Sequence, residues 1–231
     1  MAVTARTDIK PHPSQPTALF TPVFVLGWFI NLTQYLSFYF LITVMALYAM
    51  ESFAVSETAG GFAASSFVIG ATVARVFAGW AADRFGKKQI LLIFVGLGTV
   101  ASLFYIPAAS LPALVAVRFV HGFSYSLAST AVMALVQSVI PASRRAEGTG
   151  YFALGSTLAT AFGPAIALFV IDDFNYNTLF WITTATSVFG LILTVLIRKP
   201  EFIKNAEHGR VKPVWSIKTV VTFRFNHIND F

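Results

Sequence analysis

Six long apolar stretches, separated by short polar segments, are the dominant pattern along the chain. They lie at residues 21–49, 57–82, 89–107, 111–140, 146–171 and 177–198. A helix that crosses the hydrocarbon core of a bilayer needs about 20 residues, within a range of about 17–25. Each stretch is long enough to cross a membrane. The pattern therefore predicts an all-α, polytopic membrane protein with six transmembrane helices.

The two ends of the chain lack this pattern. Residues 1–18 are polar and rich in proline, as is typical of a disordered cytoplasmic segment, and the six-helix bundle is predicted over residues 19–200. Residues 201–231 contain no apolar run of spanning length, and they predict a cytoplasmic tail. Within that tail, residues 214–225 combine aromatic and basic side chains, so this stretch either lies on the membrane surface or is flexible.

The composition favours a lipid environment and excludes several kinds of chemistry. Charged residues make up 11% of the chain, against about 25% in an ordinary soluble domain, and hydrophobic residues make up 56%. The absence of cysteine excludes a disulfide framework and a thiolate metal site, and the four histidines lack the spacing of metal ligands. Without a P-loop, ATP-driven transport by this chain alone is unsupported. We predict neither an enzyme nor a bound cofactor.

The positive charges lie almost entirely on one side of the predicted membrane. The connections at residues 51–57, 107–111 and 172–177 contain no Lys or Arg. The other connections and the two ends of the chain contain all of them except Arg75 and Arg118. The positive-inside rule then places both termini in the cytoplasm. Because these cations are dispersed over short loops, the net charge of +6 indicates membrane topology rather than a nucleic-acid partner.

A short charged segment between the second and third stretches carries the most specific motif of the chain. It reads G-x-x-x-D-R-x-G-K-K, and its matching residues are Gly79, Asp83, Arg84, Gly86, Lys87 and Lys88. Gly86 is predicted to take a positive φ, as a reversal between helices often requires. Asp83 is predicted near the C-terminal end of its helix, where the helix dipole disfavours an anion. We therefore expect Asp83 to have a partner, such as Arg144, Arg145 or a helix N-terminus.

This motif resembles the loop signature between the second and third helices of the major facilitator superfamily, and the resemblance extends over about residues 20–200. It implies a twelve-helix fold of two six-helix halves with the substrate site at their interface, and this chain would supply the N-terminal half. It also implies alternating access, with the loop that contains Asp83 as a gating latch on the cytoplasmic side. Residues 201–231 lie where a linker to a seventh helix is expected, so we expect a truncated or frameshifted product.

The fourth stretch contains the candidate substrate or proton pathway. Arg118 precedes Gly122 by four residues, which resembles the fourth-helix pattern of the superfamily. Arg118 and His121 share a helical face, and Tyr125 extends it by one turn. In one interpretation Arg118 contacts substrate or tunes a proton carrier, and in the other it pairs structurally or extends to the outer interface. His121 is either a proton carrier or a hydrogen-bond partner between helices.

Three further polar side chains lie within predicted helices. Asn31 and Gln34, in the first stretch, either face the same pathway or form hydrogen bonds between helices. Arg75 is expected to extend to the interface or to pair near Asp83. No acid falls in the middle of a predicted helix, so His121 is the one titratable group there that suits proton coupling. Otherwise the coupling acid lies elsewhere, or coupling is not to protons.

The fifth stretch contains Gly150, Gly163 and Pro164, which resemble part of the glycine-proline pattern on the fifth helix of the superfamily's antiporters. Two alanines and a leucine replace the other glycines of that pattern. A proline removes one backbone hydrogen bond, and small residues let helices approach closely. These residues therefore form either a flexible seam of the antiporter type or an ordinary small-residue helix contact.

The resemblance implies a secondary active transporter, which exports a small molecule or drug by alternating access, with proton antiport as the suggested coupling. The implied partners are a small-molecule substrate, protons, the lipid bilayer and a second six-helix half, either a missing C-terminal half or another copy. The alternatives are a non-transporting truncated fragment, a regulatory membrane subunit, and an uptake symporter or uniporter. The predicted location is the cell membrane.

Overall fold

Six long helices make up most of the chain that the computed structural model describes, which is residues 18–198. They are α1 (Pro22–Phe53), α2 (Glu57–Phe85), α3 (Lys87–Leu103), α4 (Leu111–Gln137), α5 (Arg145–Asp173) and α6 (Tyr176–Leu196). A single 3-10 turn, Ala142–Arg144, precedes α5. The predicted all-α membrane fold with six helices is confirmed. Apart from Ala18, the predicted N-terminal segment lies outside the described residues, and so does the predicted tail.

Two helices end earlier than the apolar pattern predicts. We expected the third helix to reach residue 107, but α3 ends at Leu103, because the next three N–H groups bond to carbonyls three residues back and Pro107 follows. Similarly, α4 ends at Gln137, shortly before Pro141. With 17 residues, α3 is at the lower end of the spanning range of about 17–25. The other five helices are long and apolar enough to cross a membrane.

The helix starts follow from local capping chemistry. Four of the described helices begin after a residue whose side-chain oxygen accepts a hydrogen bond from the N–H three residues later. These capping residues are Thr21, Ser56, Ser110 and Asn175. Pro22 and Pro112 occupy the first turn of α1 and α4, where the missing N–H of proline costs no helical hydrogen bond. The caps explain why the observed starts agree closely with the predicted ones.

Within the described bundle, α1 packs against α2, α4, α5 and α6, while α3 packs against α4 and α6. The contact between α2 and α4 is made through two glycines. A Cβ atom at Gly122 would overlap the carbonyl oxygen of Phe67, and a Cβ atom at Gly70 would overlap that of Phe119. The two backbones therefore touch directly, as small residues permit in membrane helices.

The outer surface of the bundle is strongly apolar. Val76 of α2 is 76% exposed, and Phe169 of α5 is 61% exposed. A soluble protein would hide such side chains, but lipid chains solvate them at no cost. The bundle thus presents its apolar surface outward, and its polar side chains are concentrated between the helices.

Candidate functional site

Arg118 lies at the centre of the site and is completely buried, with 0% of its surface exposed. Its Nη2 donates a hydrogen bond of 2.9 Å to the carbonyl oxygen of Ala64 in α2. The guanidinium carbon lies 5.0 Å from the centre of the Phe67 ring, which is cation–π distance. Within residues 18–198, its Nε and Nη1 have no hydrogen-bond partner. A permanent charge is therefore held inside the bundle by one carbonyl and one aromatic face.

Tyr105 and His121 form a buried pair next to this charge. The Tyr105 hydroxyl lies 3.0 Å from Nδ1 of His121, and the two side chains are 0% and 5% exposed. Tyr105 belongs to the turn after α3, and the guanidinium of Arg118 interacts electrostatically with both side chains. Sequence reasoning missed Tyr105, because it lies in the apolar third stretch and only the turn after α3 carries its hydroxyl to α4.

Phe67 of α2 contacts all three candidate residues of α4. Besides the contact with Arg118, its ring centre lies 5.4 Å from that of His121 and 5.3 Å from that of Tyr125. The shared face predicted for these three residues is present, but Phe67 covers it inside the bundle. Phe67 was also missed, because one phenylalanine among the 24 in the chain carries no distinguishing signal.

Tyr125 belongs to an aromatic cluster that we define as Tyr35, Phe38, Tyr39, Phe67 and Tyr125. The ring centre of Tyr125 is 5.8 Å from those of both Tyr35 and Phe38, and the rings of Tyr35 and Tyr39 are stacked at 6.4 Å. The three residues from α1 and Tyr125 are only partly buried. The aromatic cluster therefore presents π faces and phenol hydroxyls beside the buried charge of Arg118.

Asn31 and Gln34, although three residues apart, lie in different surroundings. Asn31 is 5% exposed and packs toward α5, where its Nδ2 would lie 3.4 Å from a Cβ atom at Gly155. Gln34 instead lines a cavity between α1, α3, α4 and α6, together with Tyr125 and His121. The structure thus separates two side chains that the helical spacing placed together, because α1 is wedged between α5 and the remaining helices.

The loop motif joins α2 to α3 through a single residue. Gly86 has φ of 90°, so the predicted positive φ is confirmed at the position between the two helices. Asp83 and Arg84 lie exposed in the last turn of α2. Nζ of Lys87 donates a hydrogen bond of 3.1 Å to the carbonyl oxygen of Ala134. This bond ties the loop to the last turn of α4, where unpaired carbonyls and the helix dipole favour a cation.

The other charged loop, between α4 and α5, contains an ion pair. Arg144 forms a bidentate ion pair with Glu147, with distances of 2.8 Å from Nε and 2.7 Å from Nη2 to the two carboxylate oxygens. In addition, the Gln137 amide donates to the Thr149 hydroxyl at 2.8 Å, which links the end of α4 to the start of α5. The hydrogen bonds of the two loops thus run from α3 through α4 to α5.

The fifth-helix residues lie on different faces of α5. Gly163 packs against α1, where an added Cβ atom would lie 2.6 Å from Cβ of Tyr39. Gly150 lies on the opposite, exposed face, with nothing within 4 Å of an added Cβ atom. Pro164 lies within the helix. Close packing on α1 is made by Gly155 and Gly163, which belong to a buried stripe along α5.

Comparison with known proteins identifies relatives that match most of the bundle. Residues 27–226 match the family model described as Major Facilitator Superfamily. The chain is 31% identical over 180 residues to an uncharacterized MFS-type transporter, YwfA, of Bacillus subtilis, covering 77% of this chain and 42% of that protein. It is 27% identical over 146 residues to the multidrug resistance protein Stp of Mycobacterium tuberculosis, covering 63% and 27%.

The fold is also similar to that of a solved transporter structure. A D-xylose-proton symporter superposes with a TM-score of 0.68 at 14% identity, covering 91% of this chain and 53% of that one. The chain therefore spans about half or less of the length of the proteins that it matches. The similarity covers the six-helix unit that contains the buried Arg118 and the charged loop.

Proposed function

The chain belongs to the Major Facilitator Superfamily, and from this membership we propose that it forms one half of a secondary active transporter, which moves a small molecule by alternating access. It is a multi-pass membrane protein. In this proposal it resides in the cell membrane with both termini in the cytoplasm, as the distribution of Lys and Arg favours. A second six-helix half completes the substrate cavity, either as a C-terminal half or as another copy.

The observation that carries the proposal is the buried charge of Arg118 next to the aromatic cluster. A permanent cation inside a membrane bundle is costly, by about 2.5–3.5 kcal/mol on insertion scales, and such residues mark functional pathways. The one hydrogen bond to Ala64 and the aromatic face of Phe67 leave two donor nitrogens of Arg118 without partners among the described residues. Arg118 acts in this proposal on substrate or on the neighbouring His121.

The aromatic cluster favours lipophilic, aromatic or cationic substrates. Rings of tyrosine and phenylalanine attract cations through their π faces and stack on flat organic molecules. Tyr35, Tyr39 and Tyr125 also supply hydroxyl groups for orientation. Because the aromatic cluster is partly accessible at α1 and α4, it forms one wall of the proposed cavity.

Export by proton antiport is the proposed direction and coupling. The fifth-helix residues Gly150, Gly163 and Pro164 support it by their antiporter-like pattern, and the similarity to the multidrug resistance protein Stp points the same way. His121 is the proposed proton carrier, since no acid lies in the middle of a helix among residues 18–198. The loop with Asp83 serves as the cytoplasmic latch, anchored to α4 by Lys87.

Dye accumulation tests this proposal directly. The full chain is expressed in bacteria that lack their own drug exporters, and the uptake of ethidium, a flat lipophilic cation, is followed by fluorescence. We expect cells with the chain to accumulate less dye than cells with an empty vector, and a protonophore to abolish the difference. Equal accumulation in both strains, at verified membrane expression, would contradict export by this chain alone and favour either a non-transporting subunit or a requirement for a separate C-terminal half. Greater accumulation would contradict the direction and favour uptake.

A further inference from the structure

A cavity inside the bundle shares Gln34, His121 and Tyr125 with the proposed pathway. It lies between α1, α3, α4 and α6 and has a volume of about 30 Å³. Its polar lining includes Gln34 and Ser37 from α1, Thr99 from α3, His121 from α4 and Ser187 from α6. A water molecule needs at least about 10–15 Å³ and two to four polar partners, so this cavity has room for about two.

Three hydroxyl groups in the lining already use their hydrogens. Thr99 donates to the carbonyl of Val95 at 2.9 Å, and Ser187 donates to that of Thr183 at 2.9 Å. Ser37 lies 3.4 Å from the Ser187 hydroxyl, which leaves Ser37 as the donor of that pair. These hydroxyl oxygens therefore offer lone pairs to the cavity, and a ligand that brings its own hydrogens can bind to them.

Two groups at the cavity have unmet hydrogen-bonding capacity. Both the oxygen and the nitrogen of the Gln34 amide are buried and have no partner among residues 18–198. Nδ1 of His121 faces the Tyr105 hydroxyl at 3.0 Å, while Nε2 makes no hydrogen bond within the described part of the chain. A neutral imidazole has one donor and one acceptor nitrogen, so Nε2 becomes the donor when Tyr105 donates to Nδ1. It then requires an acceptor.

We propose that this cavity binds one or two water molecules, which join the Gln34 amide to Nε2 of His121, and that Gln34 is thereby a positioning residue for His121. A water supplies both hydrogens and lone pairs, and thus suits the lining hydroxyls, the amide and the imidazole at once. A metal cation is disfavoured, because no carboxylate lines the cavity and the buried Arg118 repels positive charge.

The bridge has a direct chemical consequence for His121. With Tyr105 bonded to Nδ1 and water bonded to Nε2, the imidazole is held in one tautomer and orientation. The same water is the route by which a proton reaches or leaves Nε2 without passing Arg118. The occupancy of the cavity is independent of transport activity, whereas its use in proton coupling rests on the proposed function.

Solid-state NMR on the full chain in lipid bilayers tests the bridge without any transport assay. The protein is labelled with ¹⁵N-histidine, and the His121 signals are assigned as those absent from His121→Asn. Magnetisation is then transferred from water to the ring nitrogens. The test variant is Gln34→Met, which keeps the length of the side chain but removes the amide, and the matched control is Gln89→Met at an exposed position.

We expect His121 to show an unprotonated Nδ1, a protonated Nε2 and strong transfer from water, all unchanged in Gln89→Met. In Gln34→Met we expect at least about a threefold loss of transfer to Nε2 and a second tautomer, since the water loses its amide partner. If no magnetisation passes from water to Nε2 of His121 in the unmodified chain, the proposal that the cavity binds water is wrong. Full transfer with unchanged tautomer in Gln34→Met would overturn the role of Gln34. Signals that move when sodium chloride replaces choline chloride would assign the cavity to a cation instead.

Discussion

At the scale of single residues, aromatic rings from other parts of the bundle cover the polar face of α4. Phe67 covers Arg118, His121 and Tyr125 from the side of α2, and Tyr105 covers His121 from the turn after α3. Among residues 18–198, aromatic contacts and one backbone carbonyl thus replace the carboxylate that usually accompanies a buried guanidinium. The charge of Arg118 therefore acts strongly on neighbouring groups, because surroundings of low polarity screen electrostatic interactions weakly.

Arg118→Ala should reduce ethidium export to below about a tenth of the unmodified rate, since the change removes a buried charge that no other described group replaces. Arg118→Lys should not restore it, because an ammonium cannot reproduce the planar contact of the guanidinium with Phe67. The measurement is dye efflux at matched membrane levels. Arg198→Ala, at an exposed position after α6, is the control and should retain export. Unchanged substrate affinity and turnover in Arg118→Ala would assign Arg118 a structural role.

At the scale of helices, the contact between α2 and α4 depends on glycine. Gly122 and Gly70 let the two backbones touch, and this contact sets the height of Phe67 relative to Arg118. The α5 helix packs on α1 through its own small residues, among them Gly155 and Gly163. The positions of these helices therefore depend on glycines at the contacts, because larger side chains there would force the helices apart.

Gly122→Ala should destabilise the bundle by about 1–3 kcal/mol, as is typical of overpacking in a close contact. The added Cβ atom would overlap the carbonyl oxygen of Phe67, and backbone cannot move aside as a flexible side chain can. Thermal unfolding of the purified protein in detergent measures the change. Gly61→Ala, on the same helix pair but with nothing within 4 Å of the added atom, should be neutral or slightly stabilising. Equal melting temperatures for the two variants would refute the proposed contact.

The charged loop acts at the same scale, because it connects three helices. Asp83→Asn should lower transport at least about tenfold, since the neutral amide loses the charge interaction expected of the latch. Membrane insertion should stay intact, because the exposed end of α2 contributes little to the core. Asp172→Asn, at the other end of the bundle, serves as the control. Normal efflux in Asp83→Asn, at normal membrane levels, would end the latch hypothesis.

At the scale of the whole molecule, apolar surface and charge distribution together favour one orientation in a membrane. The exposed apolar side chains of α2 and α5 cover the bundle, and Lys and Arg concentrate at one end of it. The far end carries acids instead, where the Tyr176 hydroxyl donates a 2.9 Å hydrogen bond to Glu51 and joins α6 to α1. This asymmetry is what the positive-inside rule uses.

Cysteine labelling can establish the orientation, because the chain contains no cysteine of its own. Asp173→Cys, at the acidic end, should react with a membrane-impermeant maleimide in intact cells. Ser143→Cys, in the connection between α4 and α5, should react only after the membrane is permeabilised. The reverse pattern would place the basic loops outside and would contradict the proposed topology.

The pattern of apolar, charged and helix-breaking residues along the sequence predicts much of this fold. Spanning length, loop charge and helix breakers operate over at most one helix and its two ends, so the six helices, their order and the positive φ of Gly86 follow from local rules. The shared face of Arg118, His121 and Tyr125 follows from helical spacing in the same way.

The sequence pattern does not predict which helices face each other, and the remaining features of the site depend on that arrangement. Tyr105, Phe67 and Ala64 reach the site from other parts of the chain, and nothing in their local sequence distinguishes them from lipid-facing neighbours. The separation of Asn31 from Gln34 has the same origin, since two side chains on one helix meet different neighbours. Between lipid-solvated helices the apolar pattern carries little directional information, so close packing and a few polar contacts decide the arrangement.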